Sequence, residues 1–155
     1  MEVEVVTGNI IEADTEVIVN AWNRNFLPWF LLIPVGVAGA IKKAAGIRPF
    51  NELITKGPMS LGTATLTSAG RLPYKGIIHV AGINLLWRAS ESSIRGSVRS
   101  AMAIINDQGF QSAAFPIIGG SAGGFNEDQA LSIMLDQFRQ ETGDAEVKII
   151  RFRKK

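Results

Sequence analysis

A run of glycines between residues 119 and 124 is the segment of this sequence best suited to chemistry. It has four glycines in six positions, after an apolar segment and before a helical pattern. Glycines allow a backbone to approach a ligand and to point N–H groups at it, and a helix N-terminus adds partial positive charge. The spacing favours phosphate binding by main-chain amides, with a flexible turn as the alternative. Neither the P-loop nor the Gly-x-Gly-x-x-Gly motif fits, because the required lysine and glycine order are missing.

Nucleophilic and metal chemistry has few side chains to use here. The 155 residues include no cysteine and one histidine, His79. Disulfides, thiolate nucleophiles and cysteine-based metal sites are therefore excluded, and a Ser–His–Asp triad would need this single imidazole. His79 lies within an apolar run, which favours a buried, hydrogen-bonded structural histidine over a catalytic one. We expect no metal ion and no cofactor.

Composition sets the class of protein. With 46% hydrophobic residues, 19% charged residues and a net charge of +2, the chain predicts one soluble globular domain. The N-terminus opens with acidic residues and predicts no secretory signal, so we expect a cytoplasmic protein. The uncharged stretch 26–41 is too short and too often interrupted by proline and glycine for a membrane helix. We interpret it as a buried or pocket-covering loop and expect no membrane partner.

The C-terminal residues Arg151, Arg153, Lys154 and Lys155 form a short basic tail. Such an end is more typical of a solvated terminus than of a nucleic-acid-binding arm. A nucleic-acid partner is therefore the weakest of the alternatives considered.

The elements that must position these groups alternate between strands and helices. Apolar runs predict strands near residues 3–7, 17–19, 77–80, 113–118 and 147–152. Amphipathic patterns predict helices that end at Gly109 and Gly143, with Asn126 capping the second one. This order predicts an α/β fold with a largely parallel central sheet and helices on both sides.

In such a sheet, ligands bind beyond the carboxyl ends of the strands. The candidate loops are therefore 7–10, 20–23 and 116–125. Trp22, in the second of these loops, and Trp29 and Phe30, in the apolar stretch that follows, are unusual large aromatic residues. They either thicken the core or shield a bound ligand from water, and exposed rings would instead indicate a partner surface.

Several separated motifs, in their order along the chain, resemble the macrodomain family. They occupy residues 8–10, 19–23, 36–46, 61–64, 67–70, 72–73, 77–82 and 115–125. The resemblance covers nearly the whole chain and implies a three-layer α/β/α fold with a mixed, largely parallel sheet, formed by residues 1–155 as a single macrodomain. It also implies that the ligand is ADP-ribose or an ADP-ribosylated substrate. Some members of the family hydrolyse ADP-ribose from proteins, nucleic acids or small esters.

The resemblance assigns the binding roles residue by residue. Asn9 and Ile10 would meet the adenine, and Phe152 would lie beside it, although an ordinary core position is an equal alternative for Phe152. The family usually has aspartate at the position of Asn9; an asparagine carbonyl still accepts a hydrogen bond but lacks charge assistance, so we expect weakened adenine recognition. Main-chain amides of 36–38 and 119–123 would hold the diphosphate. The implied binding residues are Gly8, Asn9, Ile10, Asn20, Ala21, Gly36, Val37, Ala38, Ile118, Gly119, Gly120, Ser121, Ala122, Gly123, Gly124, Phe125 and Phe152.

Two residues, Asn23 and Lys42, are implied as catalytic. Asn23 would hold the distal ribose. Lys42 lies near the lysine that one branch of hydrolases uses as a nucleophile, although a solvated helix lysine is the favoured alternative. Ala38 stands where other members have an aspartate that activates water, so we prefer a route in which the bound diphosphate positions the water. The missing catalytic acids favour a non-catalytic ADP-ribose reader, whereas the small, stand-alone format favours an enzyme. We slightly favour an ADP-ribosyl hydrolase.

Overall fold

The computed structural model describes residues 1–22, 36–82, 89–120 and 126–152. Its strands are β1 (Val3–Gly8), β2 (Val17–Trp22), β3 (Ala64–Thr67), β4 (Gly76–Ala81), β5 (Ser112–Pro116) and β6 (Glu146–Phe152). Its helices are α1 (Gly36–Ala45), α2 (Arg48–Thr55), α3 (Glu91–Gln108) and α4 (Glu127–Arg139), and a 3₁₀ turn spans Ile10–Glu12. The stretch 26–35 and the predicted site residues Asn23, Ser121, Ala122, Gly123, Gly124 and Phe125 lie outside the described residues.

The strands form one mixed sheet with the order β1-β6-β5-β2-β4-β3. Every neighbouring pair is parallel except β3 with β4, which is antiparallel. The strands β2 and β4 lie inside the sheet with nearly every residue buried, which explains their continuous apolar runs. The predicted mixed, largely parallel sheet is confirmed.

Two apolar clusters, one on each face of the sheet, form the core. On β2, Val17 and Val19 pack with residues of α3 and α4, whereas Ile18 packs with residues of α1 and α2. Successive side chains of a strand point to opposite faces, so this alternation places one pair of helices on each side of the sheet. The expected three-layer α/β/α fold is confirmed. In the described ranges, no helix is both long and apolar enough to cross a membrane.

The boundaries of two helices differ from the prediction. The stretch 26–41 is not a loop throughout, because α1 begins at Gly36 and packs an apolar stripe that includes Val37 and Ile41 against the sheet. Helix α4 ends at Arg139 rather than at Gly143, because Gln140 closes the last turn in a right-handed conformation. The end of α3 at Gly109 is confirmed.

The strand predicted over 113–118 is shorter, because β5 ends at Pro116. The chain then turns: the N–H of Gly120 donates to the carbonyl of Ile117 at 3.4 Å. Gly119 adopts a positive φ of 82° within this turn. The turn starts the connection from β5 to α4 and therefore sets the position of the glycine segment.

Candidate functional site

The carboxyl ends of β1, β2, β5 and β6 meet at one edge of the sheet, because these strands are parallel. Their last residues are Gly8, Trp22, Pro116 and Phe152. Helix α4 connects β5 to the parallel strand β6, so its N-terminus at Glu127 also lies at this edge. We call this region the carboxyl edge. It contains the described parts of the three loops that the sequence indicates as candidate sites.

Gly119 places a main-chain N–H donor at the carboxyl edge. The residue is buried and left-handed, and a Cβ built on it would lie 2.8 Å from the Cβ of Ala89. Its N–H has no hydrogen-bond partner among the described residues. Buried backbone N–H groups are nearly always paired, and an N–H in this position is of the kind that can donate to a bound anion.

The neighbouring amides differ from that of Gly119. Ile118 is fully buried, and its N–H donates to the sulfur of Met134 at 3.3 Å. The amide of Ile118, although implied as a ligand contact, is therefore directed into the core. Gly120 is half-buried, and a Cβ on it would lie 2.9 Å from Cγ2 of Ile117. Close packing thus favours glycine at both positions, and the left-handed backbone favours it at Gly119 as well.

The first turn of α1 supplies a second set of main-chain amides. It contains Gly36, Val37 and Ala38, and the first N–H groups of any helix lack a partner within the helix. Val37 and Ala38 pack against the apolar cluster that includes Ile10 and Trp22, two residues close to the carboxyl edge. The start of α1 therefore lies near the carboxyl edge, on the face of the sheet that α1 and α2 cover.

An aromatic residue and an asparagine lie at the ends of two neighbouring strands, at the outer end of the carboxyl edge. Gly8 and Phe152 are register partners on β1 and β6, and Phe152 is half-buried. Asn9 follows Gly8 and caps the 3₁₀ turn, with its Oδ1 accepting a hydrogen bond from the N–H of Ile11 at 3.2 Å. The structure thus brings Gly8, Asn9 and Phe152 together.

The turn after β1 is held from the core side. The Tyr74 hydroxyl donates to the carbonyls of Ala13 at 2.8 Å and Ile10 at 3.2 Å. Burial raises the pKa of Tyr74, so its hydroxyl remains a donor at neutral pH. The side chain of Ile10 is 1% exposed and belongs to the core. Any ligand contact of Ile10 would therefore come from its main chain.

Asn20 and His79 form a buried polar pair on the α1–α2 face of the sheet. They are register partners on β2 and β4, and both are fully buried. Nδ2 of Asn20 lies 3.1 Å from Nδ1 of His79, and Oγ1 of Thr67 lies 2.9 Å from Nε2 of the same ring. The Thr67 hydroxyl donates to the carbonyl of Ser68 at 3.0 Å. It therefore accepts from His79 Nε2–H, which leaves Nδ1 to accept from Asn20.

Burial lowers the pKa of His79 to about 3, so the ring is neutral near pH 7. The expected buried, hydrogen-bonded histidine is confirmed. The same hydrogen bonds occupy the amide nitrogen of Asn20, whose side chain thus lies inside the core. Ala21 is partly buried against the α3–α4 cluster. Of the residues predicted from this part of β2, Asn20 and Ala21 have side chains that pack within the fold.

Comparison with known proteins identifies the fold. The profile of the Macro domain family matches residues 19–134. The chain belongs to the macrodomain family. It is 35% identical to a macro domain-containing protein of Listeria monocytogenes, over 98% of this chain and 89% of that protein. It is 31% identical to an O-acetyl-ADP-ribose deacetylase of Enterobacter sp. (strain 638), over 87% of this chain and 76% of the relative.

A solved structure shows the same architecture. A variant of the Oceanobacillus iheyensis macrodomain with ADPR matches this chain with a TM-score of 0.80 at 29% identity. The match covers 98% of this chain and 86% of that chain.

An ion-pair cluster joins two parts of the carboxyl edge in this macrodomain. Nη1 of Arg151, on β6, lies 2.8 Å from Oε1 of Glu127, and Nη2 lies 3.4 Å from Oδ1 of Asp128. The sequence grouped Arg151 with a solvated tail, and this was wrong: its side chain is 26% exposed and paired. No sequence signal pointed to the pairing, because 24 residues separate Arg151 from Glu127.

The capping residue of α4 was found from the sequence. Oδ1 of Asn126 accepts from the N–H of Asp128 at 2.8 Å and from that of Gln129 at 3.4 Å. The helix therefore begins where predicted. Its first turn carries the acidic side chains Glu127 and Asp128, which suit the positive end of the helix dipole.

The structure also decides the role of Trp22 in this macrodomain. The ring is 4% exposed and packs edge-to-face on Phe50, with centroids 5.2 Å apart. Trp22 therefore thickens the core. Of the two adjacent lysines on α1, Lys42 is half-buried and lies one turn after Ala38, whereas Lys43 is exposed. Among the residues described, no group of three or more His, Asp or Glu side chains is placed to hold a metal ion.

Proposed function

We propose that this macrodomain binds ADP-ribose and removes mono-ADP-ribose from modified proteins, nucleic acids or small esters. The observation that carries the proposal is Gly119, a buried left-handed glycine whose N–H lacks a partner in the described part of the chain. It lies between the end of β5 and the N-terminus of α4, where partial positive charge favours an anion. A diphosphate supplies the acceptor that this donor lacks.

The order of the strands supports one orientation of the ligand. Phe152, on β6, lies on one side of β5, and the end of β2 lies on the other. A purine has a flat π-face that packs on an aromatic ring, whereas a ribose does not. We therefore assign the adenine to the side of Phe152 and Asn9, and the distal ribose to the end of β2, which leads to Asn23.

Known relatives support this ligand. The Enterobacter relative is an O-acetyl-ADP-ribose deacetylase by name, and the Oceanobacillus macrodomain was solved with ADPR. In the proposed reaction, the diphosphate orients a water molecule by accepting its hydrogen bonds. For a carboxylate ester at the anomeric carbon of the distal ribose, the water oxygen bonds to this carbon while the bond from the carbon to the ester oxygen breaks. The carboxylate leaves with the electron pair, and the proton passes to solvent.

A non-catalytic ADP-ribose reader is the second candidate. The carboxylates described at the carboxyl edge, Glu127 and Asp128, are paired with Arg151, and Ala38 offers no base. His79 is neutral, and both its nitrogens are occupied within the core. A reader would bind the same ligand through the same amides without turnover.

Calorimetric titration tests the binding proposal. We expect ADP-ribose to bind tightly and AMP to bind at least tenfold more weakly, because AMP lacks the second phosphate and the distal ribose (about 1.4 kcal/mol per tenfold). Equal affinities for the two ligands would contradict a site that extends to the end of β2. Absence of heat with ADP-ribose would overturn the proposed function.

Turnover of O-acetyl-ADP-ribose and of mono-ADP-ribosylated protein separates the enzyme from the reader. Loss of turnover in Asn23→Ala, with turnover kept in Lys42→Ala, would support the water held by the diphosphate. An adduct trapped by borohydride on Lys42 would instead show a Schiff base between that amine and the opened ribose. Binding without turnover of either substrate would establish the reader.

A further inference from the structure

The two polar atoms of the Asn9 side chain differ in what they bond. Oδ1 accepts from the N–H of Ile11 at 3.2 Å, as the cap of the 3₁₀ turn. An N–H group requires an acceptor, so this bond fixes which amide atom points at the turn. If the amide were flipped, the Nδ2–H groups of Asn9 would face the N–H of Ile11. Two donors would then oppose each other, and the cap would be lost. Nδ2 has no hydrogen-bond partner among the described residues.

Asn9 is therefore a donor toward anything that binds beside the turn. The residue is half-buried and directly follows Gly8, the register partner of Phe152. Under the proposed function, on which this inference rests, the purine lies against Phe152 at this end of the carboxyl edge. The Nδ2–H groups of Asn9 are then side-chain donors next to the position assigned to the base.

The chemistry of the purine edge determines what such a donor selects. Adenine carries an amino group at C6, which donates hydrogen bonds, whereas hypoxanthine carries a carbonyl there, which accepts them. An aspartate in place of Asn9 would keep one oxygen for the cap and offer the other as an acceptor to an amino group. An asparagine with its oxygen committed to the cap offers a donor instead.

We propose that Asn9 makes this macrodomain accept 6-oxopurine ligands, so that it binds the hypoxanthine analogue of ADP-ribose at least as tightly as ADP-ribose itself. The diphosphate and distal ribose are the same in both ligands. Any difference in affinity between the two ligands therefore comes from the base, and Asn9 determines this difference.

A titration of two ligands against two proteins tests this. ADP-ribose and its hypoxanthine analogue are each titrated into the wild-type chain and into Asn9→Asp, at neutral pH. The variant preserves the cap, because a carboxylate oxygen also accepts from Ile11, and it changes the outward donor into an acceptor. We expect the affinity for ADP-ribose, relative to that for the hypoxanthine analogue, to be at least about tenfold higher in the variant than in the wild type. This is the effect of replacing one good hydrogen bond by a mismatch.

Asn126→Asp is the matched control, because Asn126 is also a capping asparagine with an occupied Oδ1. Its added charge affects both ligands equally, so we expect the ratio to stay at the wild-type value. If Asn9→Asp does not fold, Asn9→Ser replaces it: a serine still caps but lacks the outward N–H groups. The serine variant is expected to lose the relative affinity for the hypoxanthine analogue.

The outcomes separate this inference from the proposed function. Tighter wild-type binding of ADP-ribose than of the analogue, or equal ratios in wild type and Asn9→Asp, would overturn the role of Asn9 and leave ADP-ribose binding in place. Failure of both ligands to bind the folded wild-type chain would overturn the proposed function and the inference with it.

Discussion

Nδ2 of Asn20 donates to Nδ1 of His79 across 3.1 Å, and the two residues face each other in register on β2 and β4. Their contact fixes the ring as the Nε2–H tautomer, since Thr67 accepts on the other side. A second proton on His79 would set Nδ1–H against the amide of Asn20. The pair therefore needs a neutral ring, and it lies two residues before the end of the strand that leads to Asn23.

Stability should fall as the pH is lowered from 7.5 to 5. The folded pKa of His79 is lowered to about 3 by burial, from 6.5 in the unfolded chain. The unfolded state thus binds more protons below pH 6.5, and stability is lost as pH falls from there toward 3. Denaturant unfolding should show a loss of about 2 kcal/mol between pH 7.5 and 5 from this group alone.

His79→Gln is the control for this pH dependence, because glutamine does not titrate. Its free energy of unfolding should change less between pH 7.5 and 5 than that of the wild-type chain. Hydrogen bonds from Gln111 and Ser68, with neighbouring positive charges, lower the pKa values of Glu16 and Glu52. These carboxylates therefore titrate below this range in the folded protein. Identical pH profiles for the two proteins would contradict the assignment to His79.

Thr67→Val should destabilise the protein by about 1–3 kcal/mol, because it leaves the buried Nε2–H of His79 without an acceptor. The variant keeps the volume and β-branching of the side chain, so packing is nearly unchanged. Chemical denaturation at pH 7.5 measures the effect.

Thr65→Val is the matched control for Thr67→Val. Thr65 lies on the same strand and, two residues away, on the same face; it is half-buried and has no side-chain hydrogen bond within the described ranges. Its replacement should change stability by less than about 0.5 kcal/mol. Equal losses in the two variants would show that the hydroxyl of Thr67 has no special role.

The fold was predictable where one strand or helix carries its own signal. The apolar runs indicated β2, β4 and β5, and Asn126 marked the start of α4. Nothing predicted β3, because four residues give too short an alternation and its antiparallel pairing with β4 is a tertiary contact. Helix α2 was also missed: its eight residues are fewer than a periodic pattern needs, although Pro49 in the first turn was an available signal.

The candidate site was predictable to the level of loops. Glycine spacing located the segment around Gly119, but only the structure shows that the N–H of Ile118 bonds to Met134 while that of Gly119 has no partner among the residues described. Asn20 looked like a ligand contact because it follows an apolar run. Its partner His79 lies 59 residues away, and no local pattern joins the two.

Gly119→Ala should abolish or strongly weaken ADP-ribose binding. A methyl group there would lie 2.8 Å from Ala89 and 3.2 Å from Ile94, at a φ of 82° that favours glycine. The turn must shift, and its free N–H moves with it. Titration should show at least a tenfold loss of affinity, about 1.4 kcal/mol.

Gly109→Ala is the control for backbone strain alone. Gly109 also has a positive φ, of 72°, but a Cβ there would meet nothing within 4 Å. It should lower stability by about 1 kcal/mol and leave affinity unchanged. A Gly119→Ala protein that binds as the wild type does would remove the main support for the anion site.

Arg151→Gln should weaken binding of the diphosphate ligand with little loss of stability. The substitution leaves Glu127 and Asp128 without their countercharge, and the Cα of Glu127 would be only 3.4 Å from a Cβ built on Gly120. Two uncompensated carboxylates beside the proposed site repel an anion, and we expect a loss of about three- to tenfold at low salt. The stability change should stay below about 1 kcal/mol, because the acidic partners are largely exposed and still suit the helix N-terminus.

Arg139→Gln removes the same charge at the other end of α4, where Arg139 pairs with Asp136 at 3.9 Å. Its affinity for ADP-ribose should equal that of the wild type, because the charge lies a full helix length from the carboxyl edge. The Arg151→Gln loss should also shrink as salt rises from 0.02 to about 0.5 M, since ions screen the exposed carboxylates. An equal loss in both variants would indicate a net-charge effect, and a loss independent of salt would mean that Arg151 acts by holding the first turn of α4 in place.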